Sequence, residues 1–380
     1  MNILHIALAS AFTEGMTYQE NFLIEQNLID GHNVTIITDC HKFVNGKMVI
    51  CEEEYSKMRN GATLIRLPYD RIINSFVSGK VRKSSKLKNI IELIRPDVIL
   101  FHGLASWELY TVADYKQKNP SIKLYADSHA DYYTSATNWL SKYLLHGFFY
   151  RKIIKDCLFY IDKIFYISVN CRVVLKDLYK VPEKRMEFLP LGGIILDNNI
   201  KEKNNKLIRR KLNLTNDDIF LVHAGKLDKN KKTIQLLNEF SKVKSDKLKL
   251  GVIGSVSEDI KETFYNCIKS DQRITYLGWK SSDEITNYLN ACDIYIQPGK
   301  VSALAANAIC AGAAVILNDV PDYKPFVINN GWLIKETAEI IKILECIKDD
   351  REKIQRMKVQ SIAIAKKYLD YNLISQRLYF

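Results

Sequence analysis

The chain has 380 residues, 47% of them hydrophobic and 26% charged, with 55 Lys+Arg against 43 Asp+Glu for a formal net charge of +12. That composition supports a large buried core and a two-domain prior, and it excludes disorder, collagen and coiled coil as the main architecture. The positive balance favours a polyanionic partner: nucleic acid, an anionic membrane face or a phosphorylated small molecule.

The opening MNILHIALASAF lacks a basic leader and runs into an amphipathic pattern, so it reads as a first buried strand and not as a secretory segment. Apolar runs at 3–9, 34–38, 62–67, 97–103, 122–127, 163–168 and 186–191 then alternate with helical patterns around 17–30, 80–95, 107–118, 138–160 and 170–180. Such alternation is the signature of parallel βαβ units. At Asp197 to Asn205 (DNNIKEKNN) the apolar periodicity stops, as expected of a linker.

The rhythm restarts with runs at 220–225, 249–254, 274–278, 293–299, 314–317 and 332–334, separated by helical patterns and followed by helices near 336–348 and 351–368. The expected fold is α/β: two Rossmann-like doubly wound domains facing a cleft, over 1–196 and 206–364. No apolar stretch reaches the roughly 20 residues of a spanning helix. The eight cysteines form no C-x-x-C pair and no zinc pattern, so reduced thiols in a cytoplasmic setting and no metal are expected.

The segment HAGKLDKNKK (223–232) follows a buried strand and opens a helix, placing Lys226 and Lys231 where ammonium groups and backbone amides can hold a diphosphate. His129, in ADSHADYY (126–133), closes a first-half strand, where ligands gather in doubly wound sheets. After ITYLGWKSSDEITNYLNACDIYIQPG come a small-residue helix, NAICAGAAVIL, and NNGWLI. In that order these motifs, with Gly15 in the first loop and GHNVTIIT as the second strand, resemble glycosyltransferase family 4, the retaining GT-B enzymes. The closing YLDYNLISQRLYF (368–380) is similar to that family's tail helix, which implies a final helix at about 365–380 packing back on the first domain.

The resemblance implies a sugar moved from a nucleotide donor, a UDP-sugar, to a glycan acceptor, lipid-linked, in bacterial surface polysaccharide biosynthesis, with the nucleotide sugar as co-substrate and no cofactor. Carried onto this chain, Lys226 and Lys231 stabilise the departing diphosphate, and His129 stands against the donor sugar. Gly15, Gly225, Gly254 and Ser255 let the backbone approach the donor, and Trp279 and Lys280 hold the base. Asp127 and Asp131 bind acceptor hydroxyls. The family's Glu-x7-Glu pair is absent from PGKVSALAANAICAG: Asn307 stands at the second Glu, and Ser302, Ala303 and Leu304 offer backbone amides instead. That loss motivates an alternative, a non-catalytic GT-B partner of another transferase. Lys80, Arg82, Lys83, Lys86 and Lys88, and WLSKYLLHGFFYRKII (139–154), suggest a basic, aromatic face for peripheral membrane contact at the cytoplasmic side. No nucleic-acid motif accompanies the charge.

Overall fold

The computed structural model describes residues 1–16, 18–44, 47–130 and 138–379. The chain divides into two units: unit 1, Met1–Pro190 with Ile374–Phe380, and unit 2, Leu191–Leu373.

Unit 1 carries strands β1 (Asn2–Ala7), β2 (Asn33–Asp39), β3 (His41–Val44), β4 (Lys47–Ile50), β5 (Glu54–Lys57), β6 (Thr63–Leu67), β7 (Val98–His102), β8 (Lys123–Ser128), β9 (Lys163–Tyr166) and β10 (Met186–Phe188). One eight-stranded sheet runs β10-β9-β8-β7-β1-β2-β6-β5, parallel except for β5 against β6. Leu4, Ile6, Ile37, Ile65, Ile99, Phe101, Leu124 and Ile164 fill its core, which explains the continuous apolar runs: these strands are covered on both faces. The strand order reverses between the parallel neighbours β1 and β7, the place where doubly wound sheets open a crevice at the strands' carboxyl ends.

Unit 2 repeats the plan with β11 (Ile219–Ala224), β12 (Leu248–Ile253), β13 (Ile274–Gly278), β14 (Ile294–Gln297), β15 (Ala314–Asn318) and β16 (Gly331–Ile334), all parallel in the order β13-β12-β11-β14-β15-β16. Its switch point lies between β11 and β14. Asp293, opening the Asp-strand-Pro motif, sits at the opposite end of that sheet: its buried carboxylate accepts from Phe220 N (2.9 Å) and pairs with Lys358 (3.0 Å) and Arg209 (3.4 Å). Burial works against that charge, and Lys358 with its other partners outweighs burial and holds the carboxyl below its ordinary range. That acid ties helices to the sheet and takes no part in the crevice.

Several elements differ from the sequence reading. The expected linker is the start of a helix, Asn198–Lys211, capped by Asp197 accepting from Asn199 N at 2.8 Å. It has no apolar periodicity because Ile208 is its one buried residue. The expected helix over 80–95 is two, Ser75–Val81 and Leu87–Ile94, broken at Arg82, which takes a left-handed φ of 54°. The aromatic stretch is a π-helical segment, Leu140–Tyr150, running into the α-helix Arg151–Cys157. The final helix is likewise interrupted: Arg351–Ile364 continues to Leu369, Asp370 bridges to Gly193, and Tyr371–Gln376 follows. Ile374 on that last helix and Leu378 beyond it are buried in unit 1, where Arg377 pairs with Glu187. The β3-β4 hairpin and β5 carry no strong alternation, being largely exposed.

Candidate functional site

In unit 1 a chain of polar side chains threads the core to the switch point. Tyr379 O–H donates to Asp30 Oδ2 (2.5 Å), so its oxygen accepts from Asn27 Nδ2 (2.8 Å) and Asn27 Oδ1 faces His5 Nε2 (2.9 Å). His5 Nδ1 meets His102 Nε2 at 2.9 Å, and His102 Nδ1 meets Asp127 Oδ2 at 2.6 Å. Asp127 Oδ1 accepts from Gly103 N at 2.9 Å and lies 3.2 Å from His129 Nε2, within ion-pair reach but not aligned as a hydrogen bond.

Proton positions follow from this network. Asn27 presents an acceptor, so His5 donates through Nε2. Burial first, and the His102 charge second, hold His5 down to about 3, so its Nδ1 is free to accept from His102. Burial works against a charge on Asp127, but His102 and His129 outweigh it and depress its pKa, so it is ionised and accepts from the other nitrogen of His102. Burial likewise opposes charge on His129; the Asp127 carboxylate overcomes it and lifts the imidazole to about 9. The His102 and His129 rings thus flank one buried carboxylate.

Glu20, His102 and His129 bring ligand-type atoms within 4.8 Å of one another. Because both nitrogens of His102 are already bonded, this trio is poorly suited to a metal.

The unit 2 crevice is built from backbone. Gly225, after β11, has φ 129°, and Gly254, after β12, has φ 139°; a Cβ on Gly254 would stand 1.7 Å from Gly225 O. The two strand ends therefore touch main chain to main chain. Leu227 N donates to Ser255 O and Ser257 N to Leu227 O, each at 2.9 Å. Asp228 caps the turn Lys229–Lys231 by accepting from Lys231 N at 2.9 Å, which opens helix Thr233–Lys242. Lys231 Nζ donates to the carbonyls of Lys300 (3.1 Å) and Val301 (3.3 Å), bringing this loop to the loop after β14. Burial lowers Lys231 to about 8, with Asp228 opposing and Lys300 adding. Lys226 is exposed and has no ion pair among the described residues.

Lys226, Lys231, Gly225, Gly254 and Ser255 thus meet at one switch point. Helix Ala303–Ala311 begins near it with Ser302 as N-cap, but Ser302 N already donates to the Tyr323 hydroxyl at 2.8 Å, so of the three expected amides Ala303 and Leu304 remain. Asn307 lies on that helix against Gly193, whose added Cβ would be 2.9 Å from Asn307 Oδ1. Trp279 is exposed after β13, and Lys280 approaches Glu284 at 3.8 Å. Gly15, with φ 77°, sits in a loop closed by Asn21, which accepts from Gly15 N and donates to Thr13 O.

Asp127 is a correction: fully buried, with both oxygens engaged by unit 1 itself, it cannot receive acceptor hydroxyls. Asp131 lies outside the described residues. Sequence reasoning missed His5, His102, Asn27 and Tyr379; the signal available was a histidine in each of two apolar strand runs. Also missed was Gln297, fully buried at the end of β14, whose Nε2 donates to Lys300 O (3.2 Å) while its Oε1 is unpartnered among the described residues.

Two doubly wound units, each with its crevice at the strands' carboxyl ends, make this a GT-B fold. The same architecture covers 100% of this chain and 97% of sucrose-phosphate synthase from Thermosynechococcus elongatus, with a TM-score of 0.71 at 14% identity. Anabaena HepE, solved in complex with UDP, superposes with a TM-score of 0.70 at 13% identity, over 100% of this chain and 98% of its own. Residues 204–363 match the family model of glycosyl transferases group 1, so unit 2 carries a domain of that group. The lipopolysaccharide 1,2-N-acetylglucosaminetransferase of Salmonella typhimurium is 23% identical over 231 residues, 53% of this chain and 58% of that enzyme.

Proposed function

We propose that the protein is a retaining glycosyltransferase that moves a sugar from a UDP-sugar to a glycan acceptor, lipid-linked, in the assembly of a bacterial surface polysaccharide. The observation that carries this reading is the loop after β11: Gly225 and Gly254 leave the backbone bare beside Lys226 and Lys231. Glycosyl transfer builds negative charge on the departing diphosphate. Lys231, anchored on the carbonyls of Lys300 and Val301, and the exposed Lys226 beside it put cations where that charge develops, without calling on a metal. The group 1 domain over the same residues, the Salmonella enzyme and UDP-bound HepE support the donor class. Front-face attack by the acceptor hydroxyl, with the leaving phosphate helping to take its proton, would retain the sugar's configuration.

Unit 1 contributes His129, which this reading sets against the donor sugar at the reaction centre. The helical stretch beyond it leaves Trp139, Leu140, Tyr143, Leu144 and Phe148 exposed beside Lys142, Arg151 and Lys152, a face suited to peripheral contact with the cytoplasmic side of a membrane. No helix among the described residues is long and apolar enough to cross one.

The test is release of UDP from a panel of UDP-sugars in the presence of candidate acceptors, with Lys226→Ala as control. Turnover that is lost in the variant supports the assignment; turnover indifferent to Lys226 removes it. The missing Glu pair favours one other reading, a non-catalytic GT-B partner, which predicts nucleotide binding with no turnover on any acceptor.

A further inference from the structure

Beside His129 the carboxyl end of the unit 1 sheet opens into a cavity of about 210 Å³, lined among others by Lys80, Arg82, Ser128 and His129. Among the described residues no carboxylate lines it and none pairs with Lys80 or Arg82. Glu20 is near the His129 ring but off the cavity wall.

The basic edge of this cavity is locked in place. Four consecutive carbonyls of the 80–83 segment each accept a hydrogen bond: Lys80 from Tyr150 O–H (2.5 Å), Val81 from Trp107 N (2.9 Å), Arg82 from Ser106 O–H (2.8 Å) and Lys83 from Asp70 N (2.7 Å). Arg82 itself is held in the left-handed region, a costly conformation for a side chain with a Cβ, and its Nη1 donates to Ala105 O at 2.6 Å. One edge of the guanidinium is thereby anchored and the remaining donors are left unspent. Ser128, which also lines the cavity, is 1% exposed, and its Oγ has no hydrogen-bond partner among the described residues. A buried hydroxyl with no partner costs free energy unless a ligand supplies one.

We propose that this cavity binds a phosphate group on the acceptor, held by Lys80, Arg82 and His129 with Ser128 donating from the wall. The word acceptor rests on the glycosyltransferase reading; the phosphate site itself does not. The basic residues at 80 and 82, expected from sequence on a membrane-facing surface, are thus assigned to the cavity.

Calorimetric titration of the full chain with inorganic phosphate, at saturating UDP to occupy the unit 2 loop, tests it. Phosphate and glucose 6-phosphate should bind, while glucose and glucuronate should not displace them. Arg82→Gln and Lys80→Gln should each weaken phosphate by about ten-fold, the loss of one charged hydrogen bond. Ser128→Ala removes a hydroxyl that the fold does not use, so it should fold normally and still weaken phosphate several-fold. Lys226→Ala should leave phosphate affinity unchanged. A polyprenyl phosphate in detergent micelles, run beside glucose 6-phosphate, tells a lipid-borne from a soluble phosphate, since the tighter binder names the carrier. Absence of phosphate binding, equal binding of glucuronate, or affinity indifferent to Ser128→Ala and Lys80→Gln would overturn the site. If UDP does not bind, the titration is repeated without it in a Lys226→Ala background. Phosphate binding there keeps this site while the donor reading fails.

Discussion

The two units share a sheet plan but solve the problem of charge at the switch point differently. Unit 1 stores it in titratable side chains: a depressed carboxylate between two histidine rings, reached by a buried relay from Tyr379. Unit 2 offers a contact of bare backbone and two lysines, with the buried His223 of β11 spent on Ile296 O and Thr233 Oγ1 behind it. A protonation state can be set by neighbours and changed by pH; a main-chain cradle is set by sterics and is either present or absent. On the proposed reading, unit 1 is the place where chemistry is tuned, and unit 2 the place suited to a fixed anion.

The largest effect should come from breaking the cradle. Gly254→Ala puts a Cβ 1.7 Å from a carbonyl at a φ of 139°, so we expect a loss of about 3 kcal/mol or more in unfolding by denaturant. The matching change in unit 1, Gly103→Ala, meets only Ala9 Cβ at 3.0 Å with φ 78° and should cost about 1–2 kcal/mol. Equal costs would erase the contrast between the units.

Next in size, Lys226→Ala should lower kcat/KM for the UDP-sugar by about a hundred-fold or more, the scale seen when one fixed charge donor is removed from a transition state. Asp127→Asn tests the other unit. With the carboxylate gone and burial retained, the His129 imidazole should titrate below its usual value of ~6.5 instead of at about 9, read by NMR. The sign of the linked stability is fixed: the His129 contribution is full below ~6.5 and is lost as pH rises through about 9, while that of Asp127 is present above ~3.9 and is lost in stronger acid, because its pKa is depressed. A His129 titration that does not move in Asp127→Asn would break the relay.

The smallest effect belongs to Lys231. Charged below about 8 in the free protein, it should be held charged by a bound diphosphate, so UDP-glucose affinity should fall about ten-fold between roughly pH 7 and 9. Lys231→Arg, with a cation that does not titrate in this range, should flatten the curve.

Much of this was legible in the chain. Every central parallel strand announced itself as an apolar run, because burial on both faces leaves no alternation to confuse. Lys226, Lys231 and the glycines were legible because strand, glycine and helix start are consecutive in sequence. What was hidden is non-local. His5, His102 and Asp127 come from three strands that pair only in the folded sheet, and Tyr379 joins them from the far end of the chain. Helix Asn198–Lys211 passed for a linker because a helix with one buried residue has no periodicity to read. The place of Arg82 on a cavity wall was hidden because charge density along the sequence does not report a φ of 54° that turns the chain there.

The most direct test of the donor cradle is calorimetry of UDP binding to the intact chain and to Lys226→Ala/Lys231→Ala. The account predicts that UDP binds the intact chain and that the double variant, still folded by its thermal midpoint, loses about a hundred-fold or more in affinity. UDP binding of equal strength in both proteins, or no binding of UDP by the intact chain, would contradict it.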